Sequence, residues 1–157
     1  MKQGLGTQLR HLIELLDGAV QQSYVDAGLD YRPRYTPVMR ALAQQQSATI
    51  GELAELAGIT QPAATQTVAL MKKEGLLLVA ADGADGRQRM VRLSPQGAAL
   101  LPQLQACWKA TKRAADSLDA DLPFPLSDCL AQAITVLEQR PFGERIRAAT
   151  KKVRPTP

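Results

Sequence analysis

The sequence predicts a mainly α protein with a small β-hairpin, in which a pair of short helices feeds the hairpin and longer amphipathic helices flank both. Three observations predict it. Residues 49–75, TIGELAELAGITQPAATQTVALMKKEG, carry helix caps, apolar positions at helical spacing and a glycine where each short helix must stop. Strand-like runs Leu76–Ala80 and Arg89–Leu93 enclose Asp82-Gly83 and Asp85-Gly86, the dipeptides that favour tight turns. Finally, residues 5–25, 95–118 and 127–139 repeat apolar residues at helical spacing, with more apolar surface than a small domain can cover.

In chain order, Leu5, Leu9, Leu12, Ile13, Leu16 and Val20 give the first helix a wide apolar stripe, and Gly28 ends it. A short loop, 29–34, leads to Thr36-Pro37, an expected N-cap and first-turn proline, with Val38, Met39 and Leu42 inward. Residues 44–48 read as a polar connector. Thr49 and Glu52 have the spacing of a capping box, in which each side chain satisfies an orphan backbone N–H. Ile50, Leu53, Leu56 and Ala57 are expected on the inner face, and Gly58 at the turn, where left-handed backbone is needed. Thr60 restarts the chain as an N-cap, and Ala64, Val68 and Met71 point inward.

The outer face of that second short helix is unusual. Gln61, Pro62, Thr65, Gln66 and Ala69 are uncharged, and charge returns only at Lys72 and Lys73. A face chosen for solubility alone carries more Glu and Lys. Short amides and hydroxyls near a helix N-terminus suit the reading of base edges in a major groove. The segment therefore reads as a helix-turn-helix with a wing.

Ser94-Pro95 opens a long helix to about Leu118, with Leu101, Leu104, Trp108 and Ala115 at helical spacing and Pro102 expected to kink it. Asp119–Pro125 breaks the chain, Ser127 caps a further helix to Gln139, and Pro141 stops it. Residues 142–149 add a turn or short helix, and KKVRPTP is expected to be a disordered tail. The expected organisation is an N-terminal dimerisation helix (1–30), a winged helix-turn-helix domain (34–94), C-terminal dimerisation helices (95–150) and the tail (151–157). A homodimer is the economical way to cover the excess apolar surface.

Composition bounds the function. The chain has 157 residues and a net charge of +4, which favours a polyanionic partner without requiring one. From Lys72 to Arg92, five bases face three acids, a net of +2; from Arg140 to Arg154, six face one, a net of +5. No apolar run approaches the roughly 20 residues of a membrane span, and the N-terminus lacks a signal-peptide core. Two cysteines without framework spacing, Cys107 and Cys129, suit a reducing compartment and are expected to be small buried hydrophobes, so the protein is expected in the cytoplasm. One histidine, no clustered metal ligands and no Gly-rich phosphate loop leave no catalytic constellation, so neither an enzyme nor a cofactor is expected.

The order of these signals resembles the MarR family of winged helix-turn-helix regulators. The most specific part is the wing, where Gly75-Leu76 leads ten residues later to Asp85-Gly86-Arg87, then to Leu93-Ser94 and Gly97. The resemblance implies a transcriptional repressor, acting as a homodimer on double-stranded DNA with a pseudo-palindromic operator. Gln61, Pro62, Ala63, Thr65 and Gln66 would face the major groove, and Lys72 and Arg89 would be further DNA contacts. Arg87 would enter the minor groove, its guanidinium held by Asp85. Two positions depart from the family pattern, where Gln66 and Val79 stand in place of frequent arginines. The resemblance also implies a small aromatic effector that releases the DNA, with His11, Tyr35, Met39 and Trp108 as its candidate contacts. Oxidant-sensing relatives carry their reactive cysteine near the N-terminal helix, where this chain has none. The alternative is a winged-helix module that binds protein and not DNA, which the two missing arginines favour.

Overall fold

A computed structural model describes residues 4–81 and 88–153. Helix α1 spans Leu5–Asp26, a 3-10 turn spans Pro33–Tyr35, and α2 spans Thr36–Gln44. A two-residue strand β1 (Ala48–Thr49) precedes α3 (Ile50–Ala57), α4 (Gln61–Lys73) and the wing strands β2 (Leu77–Ala81) and β3 (Arg89–Leu93). Helices α5 (Pro95–Asp121), α6 (Leu126–Gln139) and α7 (Phe142–Val153) complete the chain. The expected mainly α fold with a β wing is what the chain adopts.

The sheet is antiparallel with order β1-β3-β2. Val79 lies opposite Val91 and Ala81 opposite Arg89, while Ala48 pairs with Val91 from the other side. The expected connector at 44–48 thus ends in a strand that ties the start of α3 to the wing. The first wing strand begins at Leu77, one residue later than expected, and the Asp-Gly pairs proposed for its turn lie outside the described residues.

Two compact units divide the chain, the first ending at Lys109 and the second beginning at Ala110. The core of the first unit joins Tyr24, Tyr31, Tyr35, Val38, Met39 and Leu42 to Leu53, Val68, Met71, Leu77, Val91 and Leu104. Packing corrects the expected inner face of α3: Leu53 and Ala54 are buried, Ile50 and Ala57 are half-buried, and Leu56 is exposed. Thr67 joins Ala64, Val68 and Met71 on the buried face of α4.

Thr36 is not the N-cap the sequence suggested. Its backbone is already helical, and its hydroxyl lies 3.3 Å from both the Tyr24 and Tyr31 hydroxyls. Three tyrosines pack edge to face around it, with ring centroids 4.8 Å apart for Tyr24–Tyr31 and 5.8 Å for Tyr31–Tyr35. Such edge contacts add to the apolar burial of the rings. Burial pushes the Tyr31 phenol well above its ordinary range, so it stays neutral and can donate to Thr36.

Ser94 closes the wing. Its hydroxyl donates to the Gly75 carbonyl at 2.6 Å and accepts from the Gly97 N–H at 2.9 Å, while its own N–H donates to the Leu76 carbonyl at 2.9 Å. The Leu93-Ser94…Gly97 pattern is therefore a latch joining the end of α4, the end of the wing and the start of α5. Gly97 itself lies against backbone, since a Cβ there would meet the Leu76 carbonyl oxygen at 2.2 Å.

In the second unit, α6 is capped differently from the expectation. The Ser127 side chain does not cap it; the Asp119 carboxylate accepts from the Leu126 N–H at 2.8 Å, the Ser127 N–H at 3.2 Å and the Ser127 hydroxyl. These bonds, the Ser127 hydroxyl foremost, hold the Asp119 carboxyl below its ordinary value of 3.8. A folded pKa below the unfolded one stabilises the turn at pH above the unfolded value and is lost as pH falls through the folded value. Amide exchange at Leu126 and Ser127 is therefore expected to accelerate as pH drops below about 3.8, corrected for intrinsic exchange rates. Asp119→Asn is expected to abolish that pH dependence.

Helix α7 extends to Val153, three residues into the expected tail, and 154–157 lie outside the described residues. Leu130, Ile134 and Leu137 form an exposed stripe on α6, as Leu5, Leu9, Ile13 and Leu16 do on α1. Cys107 is half-buried, but Cys129 is exposed on α6 rather than a core residue. Among the described residues, no helix is long and apolar enough to cross a membrane.

Candidate nucleic-acid interface

The site is built outward from α3. Thr49 accepts from the Glu52 N–H at 3.2 Å, and the Glu52 carboxylate accepts from the Thr49 N–H at 2.7 Å, so the expected capping box is present. The Thr49 backbone bond leads the causes that hold the Glu52 carboxyl below its ordinary range. Gly58 takes left-handed angles, φ 64° and ψ 33°, and the Ile59 N–H reaches back to the Ala54 carbonyl at 3.0 Å. That geometry reverses the chain in few residues without strain. Thr60 then accepts from the Ala63 N–H at 3.3 Å and opens α4, with Pro62 in the first turn, where a missing N–H is harmless.

With Ala64, Thr67, Val68 and Met71 buried, helical periodicity fixes what faces outward. Gln61, Pro62, Thr65, Gln66, Ala69, Lys72 and Lys73 are all exposed, and Ala63 is half-buried at their margin. The Thr65 hydroxyl donates to the Gln61 carbonyl at 2.9 Å, which leaves its lone pairs and methyl group facing out. Lys72 and Lys73 occupy the last turn of α4, roughly 16 Å along the axis from Gln61, where the helix dipole favours positive charge. Immediately after them, at the helix C-cap, Glu74 pairs with Arg32 at 3.2 Å.

The wing adds a cation at the opposite end. Arg89 opens β3 and is exposed, and with Gln61, Gln88, Thr49, Ile50 and Gly51 it lines an open concavity of about 370 Å³. The structure thus brings Arg89 beside Gln61, two residues 28 positions apart in the chain. Gln88 was missed by the sequence reading; its signal was only its place beside Arg89. Val79, one of the two departures, is half-buried between β3 and the core, so this position offers no exposed cation. Asp85 and Arg87 lie outside the described residues.

The candidate effector residues divide. Tyr35 and Met39 are fully buried, and Trp108 packs against the same cluster. The Trp108 Nε1 donates to the Tyr24 hydroxyl at 3.1 Å, and the Arg40 guanidinium lies 4.9 Å from the Trp108 ring centroid. The Tyr35 hydroxyl is buried and makes no hydrogen bond within 3.5 Å among the described residues; burial first, then the Glu74 carboxylate beside it, raises its pKa. His11 is not with them. It is exposed on α1, 3.9 Å from the Glu14 carboxylate, beside an open concavity of about 360 Å³. Thirteen residues of helix, roughly 20 Å, separate it from Tyr24, which explains why one chain does not gather all four.

Two short helices, a left-handed glycine turn and a hairpin closed by Ser94 define a winged helix-turn-helix protein. The MarR family model matches residues 28–88 of the chain, from the end of α1 into the wing. The likeness in fold extends beyond the match. The MarR family regulator SPO1453 from Silicibacter pomeroyi is 26% identical, with 85% of this chain and 93% of that chain covered and a TM-score of 0.58. MOSR from M. tuberculosis, solved in complex with DNA, is 21% identical, with coverages of 87% and 95% and a TM-score of 0.65. BpsR from Bordetella bronchiseptica, whose DNA binding is regulated by 6-hydroxynicotinic acid, is 19% identical, with coverages of 88% and 94% and a TM-score of 0.62. No curated relative matches the chain.

Proposed function

We propose that the protein is a homodimeric repressor of transcription that binds a pseudo-palindromic operator in double-stranded DNA and works in the cytoplasm. The observation that carries this reading is the exposed face of α4, polar and uncharged from Gln61 to Ala69, with cations at both ends in Lys72 and Arg89. Cations at the margins suit phosphates, and uncharged hydrogen-bonding groups between them suit base edges. The exposed apolar stripes on α1 and α6 support a dimer, which would hold two copies of α4 about one DNA turn, roughly 34 Å, apart. Arg87 enters the minor groove in this reading, steadied by Asp85. A small aromatic acid that loosens DNA binding extends the reading, supported by BpsR and by NadR, solved with 4-hydroxyphenylacetate. Tyr35, Met39 and Trp108 are the candidate contacts in the first unit, and His11 would have to join from another chain.

The test is a hydroxyl-radical footprint on DNA from upstream of the protein's own gene, paired with the solution mass of the free protein. The expected result is twice the 17.0 kDa chain mass and two protected half-sites about 10 base pairs apart. A monomer with no footprint would favour the module that binds protein, the reading that the absence of an arginine at Gln66 and Val79 supports.

A further inference from the structure

We infer that the half-site read by α4 consists mainly of A·T pairs, with Gln61 and Gln66 reading adenine and Ala69 and the Thr65 methyl group meeting thymine methyls. The inference rests on the DNA-binding reading above and deepens it.

Each base edge in the major groove asks for different chemistry. Guanine offers two acceptors and is met by Arg or Lys; cytosine offers a donor and is met by Asp or Glu. Adenine offers one acceptor and one donor side by side, which a carboxamide matches with both its groups, and thymine offers a methyl group. The exposed arc of α4 from Gln61 to Ala69 contains two carboxamides, one hydroxyl, one proline, one alanine and no charge of either sign. Among the described residues, neither the Gln61 nor the Gln66 amide is engaged by a side-chain hydrogen bond, so donor and acceptor are both open. The Thr65 donor is already engaged by the Gln61 carbonyl, so this side chain presents a lone pair and a methyl group.

Spacing supports two separate adenines. Five residues of helix place Gln66 roughly 7.5 Å beyond Gln61 along the axis, about two base-pair steps of 3.4 Å. The nearest cations on the helix, Lys72 and Lys73, lie a further 9 Å or so along it, toward the backbone. Arg89 belongs to the wing strand and flanks Gln61 from the side, where a phosphate is its nearest expected partner.

The test is selection from a randomised duplex library with the full chain, followed by titration of the selected site and its modified forms. The expected half-site carries A·T pairs at two positions about two steps apart. Replacing either adenine with 7-deazaadenine, which removes the N7 acceptor, is expected to weaken binding roughly 10-fold, within the range of one bidentate contact. Gln66→Ala is expected to erase the difference between adenine and 7-deazaadenine at one of the two positions only. Replacing thymine with uracil is expected to weaken binding severalfold. Selection of G·C pairs at those positions, or indifference to 7-deazaadenine with the wild-type chain, would overturn the inference while leaving DNA binding intact. Failure to bind any duplex would overturn both.

Discussion

Gly97→Ala is expected to lower the melting temperature by about 6–12 °C, since its Cβ would make the tightest contact at any glycine among the described residues. The added Cβ would stand 2.2 Å from the Leu76 carbonyl oxygen, 3.1 Å from its carbon and 3.4 Å from the Leu76 Cα. All three are backbone atoms, so no side chain can rotate away. The carbonyl is also fixed, because it accepts from the Ser94 N–H, and Ser94 is itself bonded to Gly75 and Gly97. Relief requires α5 to move away from the end of α4, which opens the latch and exposes Leu76 and Leu104. Overpacking of this kind costs about 3 kcal/mol or more at the upper end of its range. Gly18→Ala is the control: nothing lies within 4 Å of its Cβ position, and a mid-helix glycine replaced by alanine gains about 0.5–1 kcal/mol. Thermal melts of both variants by circular dichroism check the pair.

The double variant Arg87→Ala/Arg89→Ala is expected to weaken DNA binding roughly 100-fold per half-site, with little change in melting temperature. Arg89 is exposed and makes no ion pair among the described residues, so its removal leaves no buried partner behind. On DNA each guanidinium would make charge-assisted bonds worth about 1.5–3 kcal/mol, and two such losses give the stated factor at the lower bound. Lys72→Ala alone is a smaller change of the same sign. Anisotropy titrations at fixed salt read both.

The parts of this fold that were legible in the sequence are those decided within a few residues. The Thr49–Glu52 box, the Gly58 turn, the Thr60 cap and the outward face of α4 each follow from neighbours three or four positions apart. The expectations that failed depend on distant partners. Thr36 looks like a cap because proline follows it, yet two tyrosines from before the 3-10 turn claim its hydroxyl. Ser127 looks like a cap because a helix follows it, but Asp119, eight residues earlier, supplies the acceptor. Strand β1 is too short to show a period, and its partner Val91 lies more than 40 residues away. Leu56 fits a helical stripe, but α3 packs through Leu53 and Ala54. The nearness of Arg89 to Gln61 has no local signal, since only the sheet register brings the wing back to α4.

The most direct test of DNA reading by α4 and the wing is the salt dependence of binding, measured by fluorescence anisotropy on upstream and random duplexes. A dimer neutralising six or more phosphates is expected to give a slope of log K against log salt of about −5 or steeper. Binding to the upstream duplex is expected to be tighter by roughly 1,000-fold or more, and Arg87→Ala/Arg89→Ala should flatten the slope. A shallow slope, equal weak binding to both duplexes and no change in the variant would contradict the account and leave protein binding as the use of this surface.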